Sequence, residues 1–180
     1  GTTLMRAGDP ITVNALHVLA SAGFARPRVH RPARVGVLLT GDELTPPGEP
    51  LPPGHIYETS GVTLRTLAAR AGAQVIDLGV APDSRAAIFN RIQIGLSESD
   101  VLLVAGGVSV GDHDHVKAAF ADAGVEEVFW RVKVKPGKPL FCSRRGETWA
   151  FGLPGNPLSG VVSFVAFVDP LLRRLHGESD

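Results

Sequence analysis

The sequence predicts an α/β domain of three layers, α/β/α, with helices on both faces of a mostly parallel mixed sheet. Three observations carry this. VGVLL (35–39) and VLLVA (101–105) are short, almost wholly apolar runs of the kind that form strands buried on both faces. Between such runs lie segments whose apolar residues recur at helical spacing, over 60–71 and 84–95. Strands that alternate with helices need crossover connections, and crossovers give parallel pairing.

Each element follows in order. A helix is expected over 13–22, with Thr12 or Asn14 near its start and Gly23 as its stop. RPRVHRPAR then forms a basic, proline-containing connector, so 1–33 reads as a linker or the tail of a preceding domain and 34–180 as the α/β domain. After strand one (35–39), TGDELTPPGEPLPPG is a loop. Thr59 or Ser60 caps a helix that runs to Ala71, with Val62, Leu64, Leu67 and Ala68 as its apolar residues and Gly72 as its stop. QVIDLGV (74–80) is strand two. Asp83 caps a helix over 84–95, with Ile88, Ile92 and Leu96 about one turn apart. Strand three (101–105) leads to a helix that starts near Asp112 or Asp114 and carries Val116, Ala119 and Phe120. EEVFWRVKV is a further strand. PLFCS and ETWAF pair as a hairpin turning at Arg145–Gly146. The last helix, 157–175, places Val161, Phe164, Val165, Val168, Leu172 and Leu175 on one face, with a kink at Pro170.

The 180 residues suit one domain with an appendage and are enough for a real core. Lysine plus arginine and aspartate plus glutamate number 18 each, so no global field argues for nucleic acid or an acidic membrane. Cys142 is the single cysteine, which excludes a disulfide framework and a thiolate cluster and fits a reducing cytoplasm. No apolar run approaches the roughly 18–20 residues that span a bilayer. The start, GTTLMRAGD, lacks the charged and apolar regions of a signal peptide. It opens on Gly rather than Met, as expected of a piece of a longer protein.

In a parallel sheet, ligands bind beyond the carboxyl ends of the strands. Four loops can meet there. AGGVSVGDHD (105–114) offers Gly106, Gly107, Ser109 and Gly111, whose bare backbone at a helix start suits a phosphate or another oxyanion. The alternative is a tight turn in which Asp112 or Asp114 only caps the helix. TGDEL (40–44) places Asp42 and Glu43 after strand one, and carboxylates with ligand phosphates suit Mg²⁺. Glu43 and Asp114 could share such a metal; a solvated pair is the alternative. KPGKP holds Lys135 and Lys138 around a rigid bend, where two ammonium groups can neutralise a dianion. In GLPGNPLSG (152–160), Asn156 suits an N-cap and Pro157 the first helical residue, either as a second anion-facing helix start or as capping alone. His113 and His115 read as surface residues, with a zinc pair as the alternative.

TGDEL, GGVSVGDHD, KPGKP and GLPGNP, in this order, resemble the molybdopterin molybdotransferases, the molybdate-insertion enzymes of molybdenum cofactor biosynthesis that include the E domain of gephyrin. The resemblance covers 34–175, and RAGDPITVNALHVLASAG resembles the segment that leads into this domain. It implies the molybdopterin-binding fold and a reaction in which adenylylated molybdopterin and molybdate give molybdenum cofactor and AMP, with Mg²⁺ or another divalent metal. It implies Glu43 and Asp114 beside metal and molybdate, with Asp42 and Asp100 as further metal candidates. Lys135 and Lys138 would meet molybdate or the phosphates, and these two with Glu43 and Asp114 form the catalytic set. Thr40 and Gly41, the glycines of 106–111 with Ser109, the turn Pro154, Gly155, Asn156 and Pro157, and Ser159 would hold the pterin phosphate or nucleotide. YETSG departs from the family at Ser60, where an asparagine is usual. The resemblance also implies a cytoplasmic enzyme, a homodimer in its full length, whose cleft draws on other domains, so that the isolated domain is inactive. Its partners are small-molecule pterin and nucleotide, with neither nucleic acid nor membrane. An adenylyltransferase of the same fold and a non-catalytic scaffold module are the alternatives.

Overall fold

The computed structural model describes residues 2–108 and 115–178. Its main sheet has six strands: β1 (Arg34–Thr40), β4 (Gln74–Ala81), β5 (Val101–Ala105), β6 (Glu126–Trp130), β7 (Phe141–Arg145) and β8 (Thr148–Leu153). Their order is β4-β1-β5-β8-β7-β6. The first four in this order pair parallel, and β7 and β6 add antiparallel strands at one edge. The predicted mixed, mostly parallel sheet is therefore what forms.

Two cores lie on its two faces. Val35, Val37 and Leu39 of β1 and Val101, Leu103 and Ala105 of β5 share one core with Leu64 and Ala68 of α2 (Ser60–Arg70) and with the C-terminal helices. Leu38, Leu102 and Val104 point the other way, into a core with Ile88, Ile92 and Leu96 of α3 (Arg85–Glu98) and Val116, Ala119 and Phe120 of α4 (His115–Asp122). The period-two alternation of side chains explains how wholly apolar strands feed two cores, which makes three layers. Cys142 lies in the first core, and burial pushes its thiol up to about 12, so it is an inert packing residue.

Several local details differ from the sequence reading. Within the proline loop, β2 (Leu44–Thr45) pairs in parallel with β3 (Ile56–Tyr57), too short a pairing to show any period. The cap of α1 (Val13–Ser21) is Thr12, whose hydroxyl accepts from the Ala15 amide at 3.2 Å. Neither Thr59 nor Ser60 caps α2 through its side chain; the Glu58 carboxylate accepts from the Gly61 amide instead. Ser84, not Asp83, caps α3 by accepting from Ala87. Asp83 is engaged elsewhere: its carboxylate accepts from the Asp42 amide at 3.3 Å, and the Asp42 carboxylate accepts from the Asp83 amide at 3.0 Å. Strand β6 stops at Trp130 because Arg131 adopts φ 68°, which breaks extension before the predicted end at 134. The β7–β8 turn is Gly146–Glu147, one residue later than predicted, with Gly146 at φ 57°.

The last helix is not uniform. α5 (Pro157–Ser163) passes through a π-helical turn (Phe164–Val168) into α6 (Asp169–Leu175). The Asp169 amide bonds the Phe164 carbonyl, five residues back. This wider turn shifts the phase. Phe164, Val168 and Leu172 are buried, while Val165, predicted inward, is 57% exposed. Pro170 directly follows the π turn, whose wider path stands where the kink was predicted.

Candidate functional site

The connection after β1 crosses one face of the sheet through α2, and the connection after β5 crosses the other through α4. Neighbouring strands whose loops diverge in this way leave a crevice at their carboxyl ends. The cleft found there measures about 520 Å³. Thr40, Gly41 and Glu43 line it from the β1 loop, Gly106 and Gly107 from the β5 loop, and Gly155 and Pro157 from the turn before α5. Three of the four predicted loops thus converge.

The closeness of this packing is what requires the glycines. Gly106 and Gly107 have φ 98° and 61°, and a Cβ on either would lie 2.9 Å from the Thr40 hydroxyl. Gly155 also approaches Gly106 closely, a Cβ there lying 3.6 Å from the Gly106 Cα. The Glu43 carboxylate folds back over Gly41. Thr40 is 3% exposed, and its hydroxyl has no hydrogen-bond partner.

The sequence reading missed the wall formed by α2. Glu58, Thr59 and Ser60 line the cleft, as do Asp83 and His115. Glu58 is buried and paired with Arg65 at 3.2 Å, and Arg65 also reaches Asp77 at 3.1 Å. Ser60, at the position where the resemblance left a contact open, donates to the Gly155 carbonyl at 3.2 Å and ties α2 to the GLPGNP turn. The sequence signals for this wall were the expected helix start and the departure from the family at Ser60.

Other candidates sit elsewhere. Asn156 caps α5, accepting from the Leu158 and Ser159 amides at 3.0 and 3.3 Å, and Pro154 and Ser159 are buried around that cap. Lys135 and Lys138 are exposed and do not line the cleft; Gly137 between them packs towards Ser163. Asp42 stays at the rim with Asp83. Ser109, Gly111, Asp112, His113 and Asp114 lie outside the described residues. Among the described residues, no three His, Cys, Asp or Glu side chains converge as a metal-holding group.

Asp100 does not reach the cleft. It precedes β5, at the opposite end of that strand, where Arg31 grips both its oxygens at 2.6 and 2.8 Å and the Arg34 amide donates at 2.8 Å. The Arg31 hydrogen bonds hold the Asp100 carboxyl well below the usual carboxylate range, against burial and with help from Arg34. A depressed folded value means that this contribution to stability is complete above the ordinary aspartate pKa, about 3.9, and is lost as pH falls below it. Asp100→Asn should lower the melting temperature at pH 7 and shrink its fall between about pH 4 and pH 2, as followed by circular dichroism.

Among the described residues no helix is long and apolar enough to cross a membrane. The family described as "Probable molybdopterin binding domain" matches residues 36–174. The molybdopterin molybdenumtransferase of Haemophilus influenzae is 39% identical over 178 residues, 99% of this chain and 44% of that protein. Molybdopterin molybdenumtransferase 2 of Mycobacterium tuberculosis is 38% identical over 190 residues, covering 100% of this chain and 46% of that protein. The crystal structure of the molybdopterin biosynthesis moea protein from Pyrococcus horikosii superposes with a TM-score of 0.87 at 29% identity, covering 98% of this chain and 44% of that one. The chain spans less than half the length of these relatives. The match over 36–174 takes in most of the chain, and the chain belongs to the molybdopterin-binding domain family.

Proposed function

We propose that this chain is the pterin- and nucleotide-holding part of an enzyme that inserts molybdate into adenylylated molybdopterin and releases AMP. The observation that supports this most is the convergence of the TGDEL, glycine-rich and GLPGNP loops on one cleft. Gly106 and Gly107 line the cleft at the end of β5, where exposed backbone amides can meet a phosphate. The glycines, with Ser109 and Gly111, and the Pro154–Pro157 turn hold the phosphate and nucleotide.

Mg²⁺ or another divalent cation fits the donors on this cleft. Glu43 brings a hard carboxylate to the cleft, and Mg²⁺ favours one or two carboxylates together with ligand phosphates. Glu43 and Asp114 would hold it, and once bound it supplies positive charge to the phosphate oxygens. Lys135 and Lys138, exposed on their bend, meet the oxyanion from outside the cleft. Asp42 serves the β1 loop through its exchange with Asp83 rather than as a ligand. Asp100 has no part in this site.

Residues 1–33 act as a linker or tail of a preceding domain, in a cytoplasmic enzyme that works as a homodimer. Seven of the exposed large apolar residues, including Val13, Leu16, Phe24 and Val29, lie between Leu4 and Val29, which supports burial of that segment in an assembly. The test is metal- and molybdate-dependent AMP release from adenylylated molybdopterin by the longer parent protein. The chain alone should bind nucleotide and show no turnover, because holding several reactants together is worth roughly 7–11 kcal/mol and one wall cannot supply it. A parent without AMP release, or a chain alone as fast as its parent, would contradict this reading.

A further inference from the structure

Among the described residues, the loops at the carboxyl end of the sheet are sorted by charge. Asp42 and Glu43 follow β1, and Asp83 follows β4, on one side of the sheet. On the other side, the bend between β6 and β7 carries Arg131, Lys133, Lys135 and Lys138, all exposed. β6 runs parallel to β8, since both oppose β7, so this bend lies at the same end of the sheet as the cleft. Three strand spacings separate β1 from β7, roughly 14 Å. The bend also reaches the flank of the cleft. A Cβ on Gly137 would lie 3.8 Å from the Ser159 carbonyl oxygen, two residues beyond the cleft-lining Pro157.

Two observations set Arg131 and Lys133 apart from ordinary surface charge. The first is the choice of cation. All four lysines of the chain fall within 117–138, and every other cation is arginine. Arginine serves where a carboxylate is gripped, as in Arg31–Asp100, Arg65–Glu58, Arg85–Asp122 and Arg173–Asp169. Among the described residues, Arg131, Lys133, Lys135 and Lys138 hold no carboxylate. Their charge is left to act on solution. The second is strain. Arg131 sits at φ 68°, where a side chain crowds the backbone and glycine would not. Its guanidinium lies 5.5 Å from the Trp130 ring, and Val132 packs on the core and leaves Arg131 and Lys133 outside. The fold has no need of a cation at so strained a position.

We propose that Arg131 and Lys133 are steering residues, which draw the anionic, phosphate-bearing substrate to the cleft over the β6–β7 bend while the acids after β1 and β4 turn it away from the opposite side. The chain has no net charge, so attraction has to come from a local field. Fixed charges beside a cleft raise association rates in this way without touching the bound ligand. The inference rests on the reading of the cleft as the holder of such a substrate, and adds the route by which it arrives.

The test has two arms. In the longer parent protein, Arg131→Gln and Lys133→Gln are combined, and AMP release from adenylylated molybdopterin is followed at rising salt. kcat/KM should fall about fivefold at about 10 mM salt with kcat unchanged. The gap should close near 1 M, as the screening length drops from about 30 Å to about 3 Å. No deficit at low salt, a fall in kcat, or a deficit that survives high salt would each overturn the proposal. On this chain alone, anionic and cationic nitroxides added as paramagnetic cosolutes read the field by NMR without any substrate. The anionic probe should broaden the Lys133 and Lys138 amides more, the cationic probe the Asp42 and Asp83 amides, and the double variant should weaken the first bias only. Equal broadening by both probes would overturn the polarised field. Arg131→Gly should melt no lower than the native chain; a lower melting temperature would return that side chain to the fold and overturn its part. A parent without AMP release would sink the substrate and leave the field read from the cosolutes in place. AMP release with no salt-dependent deficit would sink the steering and leave the proposed function.

Discussion

Glu43→Ala, made in the longer parent protein, is expected to cut metal-dependent AMP release by about a hundredfold or more and to leave the melting temperature nearly unchanged. The two outcomes separate because of where the side chain lies. Glu43 is exposed, its carboxylate rests over Gly41, and the one strand-like contact at this residue is its carbonyl accepting from the Ile56 amide at 2.9 Å. Alanine keeps that backbone bond. The loss is therefore confined to an oxygen donor on the cleft, and if Glu43 holds the proposed cation, an ion that neutralises phosphate charge is worth several kcal/mol. Steady-state AMP release at several magnesium concentrations, with a thermal melt of the same preparation, is the measurement. Wild-type turnover in the variant would remove Glu43 from the site.

Gly106→Ala is expected to have the largest effect on stability, roughly 3 kcal/mol or more. Two costs add. At φ 98° any side chain is strained, and its Cβ would press on the Thr40 carbonyl oxygen, a backbone atom that cannot swing away. Gly124→Ala is the control, since its φ of 68° imposes conformational strain but its Cβ would meet open space. It should cost only about 1–2 kcal/mol. Urea denaturation of both variants gives the comparison, and the difference in midpoint at constant slope isolates the steric part. Equal midpoints would mean that the β1 and β5 loops can move apart freely.

The layers of the fold were legible because they rest on local pattern. VGVLL and VLLVA are apolar on both sides, and the helices of 60–70 and 85–98 carry their period within a few residues. The loops that meet at the cleft could be named for the same reason, once the sheet placed their ends together. What was hidden depends on residues far apart in sequence. Asp100 looked like a spare carboxylate before a strand; its partners Arg31 and Arg34 are 69 and 66 positions away. Asp83 looked like a cap until Asp42 claimed it across the cleft rim. Glu58 gave no pattern at all, and Ser60 showed only as a helix start and a departure from the family, because a buried ion pair and a hydroxyl-to-carbonyl bond have no period.

The π turn lets one continuous helix answer to two neighbours. Ahead of it, the inward residues are Ser159, Gly160 and Ser163, small enough for the Lys135–Lys138 bend to settle with Gly137 against Ser163. Behind it, Phe164, Val168 and Leu172 fill the core. A regular helix would carry one stripe through both regions, and a change of size at either end would trouble the other. The extra residue of arc uncouples them. Inheritance can therefore revise the bend that carries Lys135 and Lys138 without reopening the packing beneath the sheet, and the core can drift without disturbing the bend.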